Sequence, residues 1–408
     1  MKNSNDKKFK RTEIGMIPSD WEVVLLGNNI EIQRGGSPRP IEKYLTDSID
    51  GVNWIKIGDT NPTDKYIKFT NEKITKEGAI HSREVHKGEF LLSNSMSYGR
   101  PYILNIDGYI HDGWLVLRHF EETFNVDYLY YYLSYDVVKN QYDNLASGSG
   151  VKNLNKDIVK KVIVAKPPKP EQEKIANALT RIDNLIEDYE KLIKKKEKIK
   201  QGLMQNLLTG KVRLKGYDKK WIIKELKELG NIVTGTTPSR NNKHYWNGNI
   251  NWITAQDFKG KYIAESVEKI SDEGAKSCRM LPKNSVIVTC IASIGLNAII
   301  TKESATNQQI NGIICNEYYD NEFIYYLLSY YNEYIKSFAS QTAVPIINKR
   351  VFEEITILLP MEKQEQQAIS QVLSNADNEI NDLKIKLNKI IDIKKGMLDN
   401  LLTGRIRL

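Results

Sequence analysis

The stretch Lys200-Gln201-Gly202-Leu203-Met204-Gln205-Asn206-Leu207-Leu208-Thr209-Gly210-Lys211-Val212-Arg213-Leu214 recurs as Lys394-Lys395-Gly396-Met397-Leu398-Asp399-Asn400-Leu401-Leu402-Thr403-Gly404-Arg405-Ile406-Arg407-Leu408. The offset, 394 − 200 = 194 residues, holds without a gap back to Glu171-Gln172 against Glu365-Gln366. The chain therefore contains an internal repeat, and its period governs every other reading.

Each copy carries a seam spaced by threes and fours. The first runs Ile175, Leu179, Ile182, Ile186, Tyr189, Ile193, Lys196, Lys200, Leu203, Leu207; the offset converts it into Ile369, Leu373, Ala376, Ile380, Leu383, Leu387, Ile390, Lys394, Met397, Leu401. A 3.5-residue period predicts two long coiled-coil helices. Pro170 suits a first helical turn, Glu171 and Glu173 suit the positive end of a helix dipole, and Gly210 and Gly404 stand where a terminating glycine belongs. If residues 215–359 form one compact domain, the second helix starts near where the first stopped, and the pair is antiparallel. About 33 residues at roughly 1.5 Å each predict a rod on the order of 50 Å with a globular region at each end.

A weaker repeat lies outside the helices. Trp21, Leu26, Gly35 and Pro38 return as Trp221, Leu226, Gly235 and Pro238; Asn53-Trp54-Ile55 and Asp59 return as Asn251-Trp252-Ile253 and Asp257; Glu77-Gly78-Ala79, Lys87 and Gly99 return as Glu273-Gly274-Ala275, Lys283 and Gly295. The offset drifts from 200 through 198 to 196, as small loop insertions and deletions would make it. The expected organisation is domain 1 over 1–166, helical spacer 1 over 167–214, domain 2 over 215–359 and helical spacer 2 over 360–408.

Within each domain, short β-rich runs such as Phe90 to Leu92, Trp114 to Leu117, Val162 to Ala165, Val286 to Thr289 and Ile355 to Leu358 alternate with Gly, Ser, Asn and Pro. The tyrosine-rich stretches Asp127 to Tyr142 and Asn321 to Phe338 predict one helix per half, packed on a sheet and touching the rod.

A 408-residue chain with 40% hydrophobic residues can bury more than one core, and a net charge of +8 favours a polyanionic partner. Cys278, Cys290 and Cys315 show no paired spacing, so neither a disulfide framework nor a metal site is expected. With no apolar run of about 18 residues and no signal-like start, a cytoplasmic, non-membrane protein is expected.

Three loop pairs carry binding chemistry. Arg34 to Arg39 faces Thr234 to Arg240, with small residues that would let backbone approach a ligand beside hydroxyl and guanidinium donors. Ser93 to Arg100 faces Thr289 to Leu296, and Ser147 to Asn153 faces Ser340 to Ile346. At matched positions the chemistry changes: Asn94 opposes Cys290, Arg100 opposes Leu296, and Gly148 opposes Gln341. Loops that read targets would then read different ones.

Catalytic signatures are missing: no phosphate loop, dinucleotide fingerprint, H-E-x-x-H or Asn/Asp-Pro-Pro-aromatic tetrad occurs, and Asn61-Pro62-Thr63-Asp64 falls short of the last. A nuclease-like pattern through Asp218, Glu225 and Lys227 reads better as a charged helix face. Lys196 and Lys200 at seam positions would loosen the rod or leave it open to a partner. Gly202 and Gly396 cost a helix interior roughly 1 kcal/mol each relative to Ala and suggest a close crossing or a docking notch.

A Pro-rich strand end running into Glu171-Gln172-Glu173, a long helix and a closing Leu-Leu-Thr-Gly-x-x-Arg-Leu, duplicated around two Trp/Gly/Pro-marked domains, resembles the specificity subunit of type I restriction-modification systems. The resemblance spans essentially the whole chain. It implies an α/β protein with two tandem target recognition domains, separated by two long helices in an antiparallel coiled coil with a pseudo-twofold repeat. It also implies that each domain binds half of a bipartite asymmetric site in double-stranded DNA, and that the coiled coil sets the spacer. Two modification subunits using S-adenosylmethionine and restriction subunits using ATP and Mg2+ are the partners it implies. This chain would hold no cofactor or metal and would not be catalytic; the rivals are a stand-alone nuclease or methyltransferase and a scaffold that binds only proteins. The expected DNA-binding residues are Ser37, Arg39, Asn94, Tyr98, Arg100, Ser149 and Lys152 in domain 1, and Thr237, Ser239, Arg240, Ser293, Gln341 and Thr342 in domain 2. Partner docking is expected at Gly202, Leu207, Leu208, Gly396, Leu401 and Leu402.

Overall fold

The computed structural model describes residues 9–61, 63–94, 98–146, 154–340 and 342–408. The chain divides into two compact units, Met1–Tyr189 with Lys386–Leu408, and Glu190–Ile385. Each unit thus holds one sheet domain together with part of each long helix.

In the first unit a five-stranded sheet has the order Glu31–Arg34, Trp114–Arg118, Phe90–Ser93, Pro101–Leu104, Tyr66–Ile67, and a four-stranded sheet the order Glu72–Ile74, Val52–Ile55, Gly108–Ile110, Arg83–Val85. In the second unit the orders are Gly230–Thr234, Ile310–Cys315, Val286–Thr289, Asn297–Ile300, Tyr262–Ile263 and Glu268–Ile270, Trp246–Ile253, Ser304–Thr306, Met280–Leu281. The two topologies are identical, strand for strand. Period-two alternation sends side chains from the same strands into two cores. Phe90, Leu92, Leu115 and Leu117 pack with the helices, whereas Leu91, Trp114 and Val116 pack with Ile55, Val85 and Ile110 of the smaller sheet. Val286 and Val288 against Ile287 and Ala298 repeat this division in the second unit.

Each tyrosine-rich stretch forms two helices where one was expected, Val126–Leu133 with Asp136–Ala146 and Asn321–Tyr330 with Asn332–Lys336. Ser134 and Ser329 donate their hydroxyls to the carbonyls of Tyr130 and Tyr325 four residues back, a bond that bends and weakens a helix end. The stretch expected to be a charged helix face is instead a strand, Trp221–Glu225, paired with Thr356–Pro360. Glu225 and Glu228 are occupied by ion pairs to Lys227 and Lys224.

The long helices are Lys169–Leu207 and Lys363–Leu402, 39 and 40 residues rather than about 33. Every seam position is at least partly covered. The seam lysines do not loosen the pairing, because each meets a carboxylate on the facing helix: Lys196 to Glu379 and Lys200 to Asp377 at 2.5 Å in the second unit, Lys394 to Asp183 at 2.6 Å in the first. Rising numbers on one helix meet falling numbers on the other, so the helices are antiparallel. Gly210 and Gly404 end them at φ +68° and +67°. A β-carbon at Gly404 would also lie 2.3 Å from Pro18.

Two expectations about the helix ends are corrected. Among the described residues, the helix's own backbone aside, no atom lies within 4 Å of where a β-carbon of Gly202 or Gly396 would sit, so neither marks a close crossing. Leu207 and Leu208 are buried in the second unit's core, and Leu401 and Leu402 in the first's, so their side chains offer no surface to a partner.

The joint between sheet domain and helices is duplicated in detail. Glu171 accepts from the Trp21 indole at 3.0 Å and from Arg407; Glu365 accepts from the Trp221 indole at 3.3 Å and from both arms of Arg213 at 2.6 and 2.8 Å. Gln172 accepts from the Asn125 amide at 2.8 Å and donates to the Pro167 carbonyl at 2.9 Å, and Gln366 does the same with Asp320 and Pro360 at 2.9 and 3.0 Å. Tyr131 donates to Asp183 at 2.7 Å and Tyr326 to Asp377 at 2.6 Å. The repeated Glu-Gln and Arg-Leu signatures are therefore the two halves of a clasp: the arginine after one helix closes on the glutamate that begins the other.

Candidate nucleic-acid interface

In the first unit a turn at His111-Asp112-Gly113, between strands of the two sheets, gathers the loops. Asp112 accepts from the Ser37 hydroxyl at 3.0 Å through one carboxylate oxygen and from Arg39 at 3.2 Å through the other. Its carbonyl accepts from Asn94 at 2.8 Å and from Arg34 at 3.0 Å. The Asn94 amide donates to the Gly113 carbonyl at 2.9 Å, and the Asn94 carbonyl accepts from Leu154 at 3.0 Å. Ser37, Arg39 and Asn94 are thus brought together by a fourth loop.

The second unit builds the same junction from Asn307-Gln308-Gln309. Cys290 donates to the Gln309 carbonyl at 2.7 Å, and Ile347 donates to the Cys290 carbonyl at 2.9 Å. Thr237 donates its hydroxyl to Gln308. The second and third loops also meet through Ala292 and Pro345 at 3.0 Å. Ser293 and Thr342 lie exposed on these loops, with Thr342 bonded to Ser340 at 3.0 Å and to the Val344 carbonyl at 2.6 Å.

Gly35 and Gly235 are small for a reason other than ligand approach. A β-carbon at either would stand 2.1 Å from a backbone carbonyl, that of His111 or Asn307. The glycines let the first loop lie against the fourth.

The remaining expected residues are placed apart. Arg240 turns away from the fourth loop and forks onto Glu268 at 2.6 and 2.9 Å, with its guanidinium 3.9 Å from the Trp246 ring and 4.9 Å from that of Trp252. Ser239 accepts from the Trp246 indole at 3.1 Å. Arg240 borders a cleft of about 650 Å³ lined also by Lys243, Trp246, Asn247, Glu268 and Lys269. Tyr98 donates to Asp143 at 2.7 Å; burial, then that bond, push its phenol up to about 12, so it stays a neutral donor at physiological pH. Arg100 holds one guanidinium nitrogen buried without an acceptor among the described residues. Ser149, Lys152 and Gln341 lie outside the described residues.

The electrostatics of the two fourth loops differ. Burial of Asp112 opposes its ionisation, yet the Ser37 hydroxyl, His111, Arg34 and Arg39 together hold its carboxyl below the ordinary value. Burial holds His111 below the usual imidazole range; its Nε2 lies 3.1 Å from the Ile57 amide and its Nδ1 2.6 Å from the Gly113 amide, and the neutral ring accepts from one of the two. Sequence reasoning missed Asp112 and Gln308, since neither lies in a small-residue loop; the available signal was a polar triplet just before an apolar strand in each half. Among the described residues no cluster of His, Cys, Asp and Glu is arranged to hold a metal ion, and no helix is long and apolar enough to cross a membrane.

Known proteins resemble this chain in sequence and in fold. The chain is 27% identical over 431 residues to the putative type I restriction enzyme MjaX specificity subunit of Methanocaldococcus jannaschii, covering 99% of this chain and 97% of that protein. It is 32% identical over 199 residues to the type I restriction enzyme HindI specificity subunit of Haemophilus influenzae, covering 46% of this chain and 42% of that protein. The fold is shared with the HsdS subunit from Thermoanaerobacter tengcongensis, at a TM-score of 0.54 and 17% identity over 96% of this chain and 98% of that one. The S subunit of a type I restriction-modification system from M. genitalium aligns at a TM-score of 0.58 and 15% identity over 97% and 98%. A family profile described as "Type I restriction modification DNA specificity domain" matches residues 18–201 and 218–392. Since that profile falls once on each half of the duplication, the chain belongs to the type I restriction-modification specificity family, as a specificity subunit with two DNA specificity domains.

Proposed function

We propose that each unit uses its gathered loops to read one half of a bipartite, asymmetric site in double-stranded DNA, and that the helix pair fixes the unread spacer and docks two modification subunits. One observation carries this reading: in both units two loops far apart in sequence meet a third stretch, at residues 111–113 or 307–309, through the same backbone bonds, and the chain just past a further loop bonds the second of them alike, while the side chains presented differ. Backbone sameness makes two equivalent platforms, and side-chain difference makes two different readers. The net charge of +8 suits the phosphate contacts that would hold either platform on a duplex.

The chain is the reader and not the catalyst. S-adenosylmethionine, ATP and Mg2+ belong to modification and restriction subunits, which transfer the methyl group and cleave the DNA. A DNA-bound assembly of this kind works in the cytoplasm.

The test is N6-methyladenine sequencing of genomic DNA with and without this gene, followed by exchange of residues 13–166 for the corresponding domain of another specificity subunit. One bipartite methylated motif should disappear on deletion. The exchange should alter one half-site and leave the other intact; alteration of both halves would sink the modular reading. Methylation or cleavage by the purified chain alone would establish an enzyme instead.

A further inference from the structure

Position 112 of the first unit and position 308 of the second occupy the same place, two residues before the strand residues Trp114 and Ile310 that pair with Ser93 and Thr289. The backbone around them is bonded alike, with Gly35 donating to Trp114 at 2.9 Å and Gly235 to Ile310 at 3.0 Å. What they do with the first loop differs. Asp112 turns one carboxylate oxygen to Ser37 and the other to Arg39, and being acceptor-only it offers a base no donor of its own. Arg39 is 81% exposed, and among the described residues its other N–H donors meet no acceptor. The carboxylate therefore braces a guanidinium whose open edge faces solvent.

Gln308 is exposed and is touched only at its carbonyl oxygen, by Thr237, among the described residues. Its amide nitrogen is free to donate, and its oxygen keeps a second lone pair. Arg240 does not share it, being committed to Glu268 and the two tryptophans, and Arg279 donates to the Thr234 carbonyl at 2.8 Å. The first unit thus offers a braced guanidinium and the second a braced primary amide at one structural position. In the major groove a guanidinium pairs with the O6 and N7 acceptors of guanine, whereas a carboxamide pairs with the donor and acceptor of adenine.

We propose that residues 112 and 308 are specificity-determining: Asp112 presents Arg39 to a guanine in one half-site, and Gln308 presents its own amide to an adenine in the other. Asp112 acts through Arg39 and is a positioning residue; Gln308 touches the base. This assignment rests on the DNA-reading function proposed above.

The experiment uses the full chain expressed with its modification subunit, read as the methylated motif in genomic DNA. A wild-type bipartite motif establishes the underlying reading first; its absence overturns that reading rather than this assignment. Given that motif, Asp112→Asn releases Arg39 and should relax one G·C position of one half-site by at least tenfold, with the other half and the spacer unchanged. Arg39→Ala should relax the same position. Gln308→Glu keeps the size and removes the donor, and should abolish discrimination at one A·T position of the other half-site only. Unaltered motifs in Asp112→Asn and Gln308→Glu, relaxation spread over a whole half-site, or different positions for Asp112→Asn and Arg39→Ala would each overturn the assignment. A variant that failed to fold would lose both half-sites, and Ser37→Ala, which removes only a neighbouring brace, then serves as the second probe: it should relax the Arg39 position partially, and no change there overturns the proposal.

Discussion

The joint that fastens each sheet domain to the helices and the candidate loops of that domain were copied together, yet they differ in what was kept. At the joint both copies retain Trp, Glu, Gln, Tyr, Asp and the closing Arg with the same partners. At the loops both copies retain the backbone bonds and almost none of the side chains. Burial explains the contrast. The Glu365 side chain is 1% exposed, and a buried carboxylate is tolerated only with its charge and hydrogen bonds supplied, so every partner is prescribed. The loops fold through main-chain bonds and close glycines, which leaves their exposed side chains free to vary.

The largest effect should come from breaking the clasp. Arg213→Met strands the Glu365 carboxylate and should destabilise the second unit by on the order of 3–5 kcal/mol, measured by chemical denaturation. Protein that remains folded, expressed with its modification subunit, should leave the methylated motif unchanged; a new motif would place the joint among the readers and erase the contrast.

Asp377→Asn is milder. It weakens the bonds from Tyr326 at 2.6 Å and Lys200 at 2.5 Å, and a hydrogen bond to a charged group is worth about 1.5–3 kcal/mol. Asp183→Asn should cost the first unit a similar amount, since Tyr131 and Lys394 meet it in the same way. Unequal losses would show the copies to be less alike energetically than geometrically.

The glycines sharpen the comparison by sign. Gly404→Ala forces a left-handed φ of +67° on a residue with a β-carbon that meets Pro18, and should cost at least about 1–2 kcal/mol. Gly396→Ala adds a methyl to a helix interior with open space around it, and should gain roughly 0.5–1 kcal/mol in thermal or chemical unfolding. If a modification subunit needs that notch, the same variant loses co-purification while becoming more stable.

The helices, their terminating glycines and the duplication were legible because each repeats with a short period or a fixed offset, and the antiparallel sense because a compact domain between the helices returns the chain to where the first one stopped. The clasp was only half legible. Glu171 and Arg407 both stood inside repeated signatures, but 236 residues separate them, and no local rule joins a helix start to the end of the other helix. Lys65 and Lys261 were missed for the same reason: each reaches from a sheet edge over a tyrosine ring, at 4.8 Å from Tyr131 and 4.4 Å from Tyr326. At the candidate interface, composition marked three loop pairs without revealing the stretch at 111–113 and 307–309 that the first two of them meet. It also grouped Arg240 with Thr237, which the Glu268 carboxylate and two indole rings separate.

The smallest expected effect lies at Asp112, and its smallness is the point. Its pair with Arg39 is exposed, and exposed pairs contribute about 0.2–1 kcal/mol, so Asp112→Asn should shift unfolding by no more than about 0.5 kcal/mol. The carboxyl is held below its ordinary value, so the brace is fully present above the unfolded value near 3.8 and is lost only as pH falls through the lower folded one. His111 is also held below the usual imidazole range and gains no charge near neutrality. Discrimination at the Arg39 position should therefore be flat between about pH 6 and 8, measured by methylation of matched and mismatched duplexes. A joint residue that costs stability and leaves the motif intact, beside a loop residue that leaves stability intact and changes the motif, would separate what holds this protein together from what it reads. A slope in that pH window would instead put a group titrating near neutrality at the reading surface, and the division between joint and loop would have to be redrawn around it.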